Sequence, residues 1–146
     1  MKVVVDTNIV FSALLNASST IGDLLFNSQE EFDFYSPELM KTEIIRYTPK
    51  LIKASKLTNS QFLEAAYQVS QAVKLISEAL ISESSWKAAF ELTSDIDEDD
   101  TPFVALTLEL KGMLWTGAKK LIKGLREKKF GSVLSTQDLL KERRQF

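Results

Sequence analysis

Short β-branched runs alternating with helical stretches predict an α/β chain: a three-layer α/β/α sandwich around a central, mostly parallel sheet of four to five short strands. The first run, Val3-Val4-Val5, is apolar without alternation, as a strand covered on both faces is. Acidic or hydroxyl-bearing residues stand at the carboxyl ends of two strand candidates, where ligands of open α/β sheets bind. The 146 residues suit one domain spanning 1–146, because no repeat, low-complexity tract or linker divides them.

Lys2–Asp6 is expected to be the central strand. A helix runs from Asn8 to about Asn27, with a break near Ser18-Ser19-Thr20 where a hydroxyl can cap a second helix. Phe32–Ser36 is the second strand candidate. Ser36-Pro37 then reads as an N-cap followed by proline at the first helical position, opening a helix that Pro49 ends near Tyr47. Thr58 with Gln61 three residues on is a capping-box pattern, and predicts a helix to about Val73. Ser82-Glu83 opens another, to about Thr93. After an acidic turn, Thr101 is expected to cap a helix from Pro102 to about Lys111, which Gly112 stops. Met113–Thr116 is the third strand. Gly117 turns the chain into a basic amphipathic helix to about Lys129. Ser132–Ser135 is the fourth strand, and Thr136 or Gln137 starts the last helix.

Composition narrows the chemistry. The chain has no cysteine and no histidine. That excludes disulfides, thiolate nucleophiles, thiolate zinc sites and a Ser-His-Asp triad, and removes the usual general base. Any catalysis must run on carboxylates, hydroxyls, lysines or a bound metal. There is no Gly-rich phosphate loop. No apolar run approaches the roughly 18 residues of a membrane span, and a signal-peptide pattern is missing, so a cytoplasmic protein is expected. Charge is segregated: residues 78–110 hold nine acids against one lysine, and residues 111–146 hold ten bases against three acids. A basic rim beside an acidic pocket suits a polyanionic substrate approaching a metal; a solvated basic helix and tail is the plainer account.

The acidic residues carry most of the functional signal. Asp6 closes the first apolar run, with Thr7 and Asn8 placed to orient it or to cap the next helix. Helix capping is the structural alternative for Asp6 itself. Glu43 lies in the stripe of Met40, Ile44 and Tyr47, where a buried carboxylate is costly unless a cation offsets its desolvation. A surface pair with Arg46 or Lys50 would account for it equally. Asp97, Asp99 and Asp100 precede the nearly all-apolar segment Phe103–Leu110, which holds their turn against the core. A solvated acidic turn at a helix N-terminus has the same spacing. Thr116 ends a strand, and Lys119, Lys120 and Lys123 follow it as phosphate contacts or as an exposed face. Oxygen donors of this kind suit a hard divalent cation, and such a cation commonly serves attack on a phosphodiester.

These pieces together resemble the PIN domain family, metal-dependent ribonucleases that include the VapC-type toxins of toxin–antitoxin pairs. The resemblance spans the chain and rests on Asp6-Thr7-Asn8 after the first strand, Glu43, Asp97 to Asp100 leading into Pro102-Phe103-Val104-Ala105-Leu106, and Leu114-Trp115-Thr116-Gly117. It implies Asp6, Glu43 and Asp100 as catalytic ligands of Mg2+ or Mn2+, with Asp97 or Asp99 as an addition. It implies RNA as substrate, a small antitoxin as protein partner, and a homodimer as an assembly open to the domain. One position departs. Many members carry aspartate after Thr-Gly, and here Ala118 stands there. A naturally weak or inactive member, a site completed by Asp97 or Asp99, and an engineered inactivation are all compatible with it. A catalytically inert PIN-like module that binds RNA or protein is therefore the alternative function. A receiver domain fits less well, because the acidic turn precedes a helix. A haloacid-dehalogenase-type phosphatase requires aspartate two residues after Asp6, where Asn8 stands.

Overall fold

The computed structural model describes every residue from Met1 to Phe146. Five parallel strands form one sheet: β1 (Lys2–Val5), β2 (Asp33–Pro37), β3 (Val73–Ile76), β4 (Met113–Trp115) and β5 (Val133–Leu134). Their order across the sheet is β3-β2-β1-β4-β5. Eight helices connect and flank them: α1 (Thr7–Leu15), α2 (Thr20–Asn27), α3 (Leu39–Ser55), α4 (Asn59–Ala72), α5 (Glu83–Thr93), α6 (Thr101–Leu110), α7 (Lys119–Glu127) and α8 (Thr136–Arg143). From β1 the chain steps outward to β2 and β3, then returns across β1 to β4 and β5. Right-handed crossovers put these two directions of travel on opposite faces. Accordingly α1 packs on α2, α3 and α4, while α6 crosses β1, β2 and β4 with α5 against it and α7 against α5.

The valines of β1 have no exposure at all, which matches their place between two neighbouring strands and two helical layers. Phe103–Leu106 on α6 are buried against them, and Trp115 is sealed at the end of β4. The Trp115 indole N–H donates to Thr136 Oγ1 at 3.1 Å, so its polar edge is satisfied inside the core. Ser19 caps α2, Thr58 and Gln61 form the capping box of α4, and Ser82 caps α5, as their hydroxyls predict.

Four local expectations are corrected. Pro37 is the last residue of β2, and α3 begins at Leu39 without a side-chain cap from its own N-cap residue. The Ser36 hydroxyl donates to the Val5 carbonyl (2.9 Å) instead, and the Leu39 N–H is taken by Glu78 Oε1 (2.7 Å). Pro49 does not end α3, which continues to Ser55 because Leu51 and Ile52 carry its apolar stripe onto the core. Thr101 does not cap α6; its hydroxyl is buried and shares a 2.6 Å hydrogen bond with Thr93 Oγ1, tying α5 to α6. Gly112 follows a left-handed Lys111, and its own requirement is space. A Cβ at 112 would stand 2.7 Å from the Lys2 carbonyl oxygen on the paired strand. The fifth strand, β3, follows α4 with no turn between them, so no punctuating residue announces it.

No single helix is long and apolar enough to cross a membrane; α1 and α2 are apolar together but meet at 105°.

Candidate active site

A sheet ordered β3-β2-β1-β4-β5 has its topological switch point between β1 and β4, where the two chain directions diverge and a crevice opens beyond the strand ends. Asp6 leaves β1 at this crevice and Thr116 leaves β4. The Asp6 N–H still extends the sheet, donating to the Trp115 carbonyl at 3.1 Å. The Thr116 hydroxyl donates to Asp6 Oδ2 at 2.7 Å, and itself accepts from the Ala118 N–H at 3.1 Å. A two-bond relay thus joins the carboxylate of β1 to the start of α7 across the switch point.

Asp6 is 6% exposed. Burial holds its carboxyl above the ordinary 3.8, against the Thr116 hydroxyl and the Asn8 and Thr7 amides, which draw it down. Asp6 is the N-cap residue of α1, but its carboxylate makes its short hydrogen bond to Thr116 and only weaker contacts to the first amides of the helix. Thr7 instead reaches the next carboxylate, its hydroxyl donating to Glu43 Oε1 at 3.3 Å. Asn8 is exposed, and its contribution lies in its backbone.

Glu43 is half-buried on α3. Desolvation raises its pKa most; the Thr7 hydroxyl opposes this, while Asp6 and Asp99 add repulsion and Arg46 some attraction. Neither Arg46 nor Lys50 pairs with it: the three ion pairs of the chain are Arg126–Asp138, Lys128–Asp95 and Arg143–Asp23. Of its expected stripe, Met40 is buried, Ile44 half-buried and Tyr47 largely open.

The acidic turn supplies the third element. Asp97 accepts the Asp99 N–H (3.0 Å) and so caps the short 3-10 turn Glu98–Asp100, which leads directly into α6. Asp100 is pushed from 3.8 up to about 7, first by burial, then by the charges of Asp6, Asp97, Asp99 and Glu43. Residues more than ninety positions apart therefore act on one another at one rim of the sheet. Asp99 lines a cleft with Glu43, Arg46, Tyr47 and Pro102, whereas Asp97 is engaged in shaping the turn.

The donor set consists of oxygens alone, as a hard cation requires. As the side chains lie, no three acidic groups are close enough to ligate one ion together. Mg2+ keeps several waters and takes one or two carboxylates directly, which an open cluster of this kind fits. Ala118 occupies the N-cap position of α7 and offers no side-chain cap. Lys119 and Lys123 line a shallow groove on α7 with Arg126 and Glu127, and Lys120 is exposed; no ion pair engages these lysines. Arg46 and Tyr47 were not legible as site residues, although three and four residues after Glu43 is the spacing that puts side chains on one helical side.

Comparison with known proteins places this geometry. Residues 4–139 match the PIN domain. No curated protein matches the chain. Among solved structures, a chain from the crystal structure of VapBC2 from Rickettsia felis, bound to a DNA fragment from their promoter, superposes with a TM-score of 0.64 at 13% identity. The match covers 92% of this chain and 97% of that one. At such identity the likeness speaks for the fold, a parallel five-stranded α/β sandwich of PIN type. With its sequence match running nearly end to end, the chain belongs to the PIN domain family.

Proposed function

We propose that this chain is a metal-dependent endoribonuclease, the toxin of a toxin–antitoxin pair, working in the cytoplasm on RNA phosphodiesters. The observation that carries this is the convergence of Asp6, Glu43 and Asp100 from three elements at the switch point, with no cation of the chain paired to any of them. Carboxylates left uncompensated at that place repel each other and any phosphate, so the arrangement is useful only with a bound cation.

Asp6, Glu43 and Asp100 are the residues that would hold Mg2+ or Mn2+, one or two of them directly and the others through the cation's waters, with Asp99 beside them. The chemistry such a cation supplies is activation of water and neutralisation of charge developing on the phosphate. The chain's own contributions are positional. Thr116 fixes Asp6 through Oδ2, Thr7 fixes Glu43 through Oε1, and the apolar α6 anchors the turn that carries Asp100. Lys119, Lys120 and Lys123 on α7, the helix that follows Thr116 in the chain, are the contacts proposed for RNA phosphates. The protein partner is a small antitoxin, a reading supported by the VapBC2 complex among its structural neighbours.

Ala118 favours a second reading, a PIN module that binds without cleaving. Aspartate at 118 would stand at the far end of the relay from Asp6 and would also cap α7. The test is cleavage of single-stranded RNA with Mn2+ by the unaltered chain, by Ala118→Asp and by Asp6→Asn. Cleavage by the first two that Asp6→Asn abolishes is expected of a nuclease completed by Asp99 and improved by a further ligand. Cleavage by Ala118→Asp alone marks a disabled nuclease, and cleavage by neither leaves the binding module.

A further inference from the structure

We infer that Arg46 and Tyr47 form a nucleotide-positioning pair at the mouth of the acidic site, Tyr47 stacking on one base of single-stranded RNA and Arg46 holding a neighbouring phosphate. This rests on the ribonuclease reading and adds the residues that seat its substrate. Both lie on α3 within one turn after Glu43 and face the same cleft, of about 300 Å3, whose other lining includes Glu43, Glu98, Asp99 and Pro102. That volume is at the small end of ligand sites, enough for one nucleotide and little more.

Each residue has the property the role needs. Arg46 is the only cation lining the cleft, which it shares with the carboxylates of Glu43, Glu98 and Asp99. It acts on Glu43 at a distance yet joins none of the chain's ion pairs, so its planar fork of donors is available to a phosphate. Tyr47 is 41% exposed, so part of its ring is open to solvent beside the cleft. Its ring packs edge-to-face on Phe11 at a centroid distance of 5.8 Å and 76° between planes. A ring anchored on one side and open on the other loses little freedom when a base stacks on it.

The test is fluorescence anisotropy of a labelled single-stranded RNA 12-mer with the full chain in Mg2+, its integrity checked on a gel. The same titration uses an abasic strand of equal length. Tyr47→Leu, which keeps an apolar contact to Phe11, is expected to weaken binding of the base-bearing strand by about 5- to 100-fold. Tyr47→Phe retains binding, and the abasic strand does not distinguish any of these chains. Arg46→Ala lowers the slope of log affinity against log salt by about 0.7, the signature of one lost phosphate contact. Equal losses on both strands, or no loss, for Tyr47→Leu, or an unchanged salt slope for Arg46→Ala, overturn the inference while leaving the ribonuclease reading intact. Failure of the unaltered chain to bind either strand overturns both.

Discussion

Asp100 shows how the site works against the fold that carries it. Its carboxyl titrates near 7 in the folded chain and near 3.8 when exposed, so folding takes up a proton between those values. Stability contributed by the protonated form is present at low pH and is lost as pH rises through about 7. Asp6 and Glu43 shift the same way, and the proton belongs to the cluster more than to one residue. Asp23, Asp95, Glu109 and Asp138 shift oppositely, each held down chiefly by hydrogen bonds, so their contribution is lost only as pH falls below the ordinary carboxylate range and does not alter the comparison above it. The metal-free protein is therefore expected to melt at a higher temperature at pH 5.5 than at pH 8. Asp100→Asn should remove much of that difference, raising stability at pH 8 by on the order of 1 to 2 kcal/mol after allowance for solvent screening. Thermal melts across pH, run in chelator, read this directly; an unaltered chain more stable at pH 8 would contradict it.

At the scale of elements, α3 is where local rules and tertiary packing disagree. Proline inside a helix removes a hydrogen bond and normally ends the element, yet α3 passes through Pro49 for another six residues. Ile45, whose carbonyl loses its partner, and Pro49 are both exposed, so water can take the freed oxygen while Leu51 is buried beyond. Pro49→Ala is expected to stabilise the chain by about 2 kcal/mol, the helix gain less the added freedom of the unfolded state. Urea midpoints would show it. Gly112→Ala has the opposite sign, because the added Cβ meets the Lys2 backbone where β4 pairs with β1. Overpacking against a strand that cannot move costs about 1 to 3 kcal/mol. Neither effect is visible in local sequence pattern, since both depend on what lies across the fold.

For the molecule as a whole, the charge asymmetry along the chain becomes an asymmetry in space. The acidic turn is drawn to the carboxyl rim by α6, and the basic α7 starts from the same rim after Thr116. RNA binding should therefore weaken with salt, and Lys119→Ala with Lys123→Ala should flatten the log–log slope by about 1.4 for two lost contacts. An unchanged slope in anisotropy titrations would mean these lysines are only a solvated face.

Sequence alone determined the class of the fold, the order of most elements and the acidic residues worth attention. Apolar runs, hydroxyl caps and carboxylates at strand ends are local signals, and Asp6, Thr58 and Ser82 show them within a few residues. It also located the departure at Ala118. Only the tertiary structure decided that Glu43 is not the partner of Arg46, that Thr116 grips Asp6, and that Asp99 faces the cleft while Asp97 braces the turn. Those facts depend on crossovers that bring β1, α3 and the turn before α6 to one rim, and long-range juxtaposition leaves no mark on neighbouring residues.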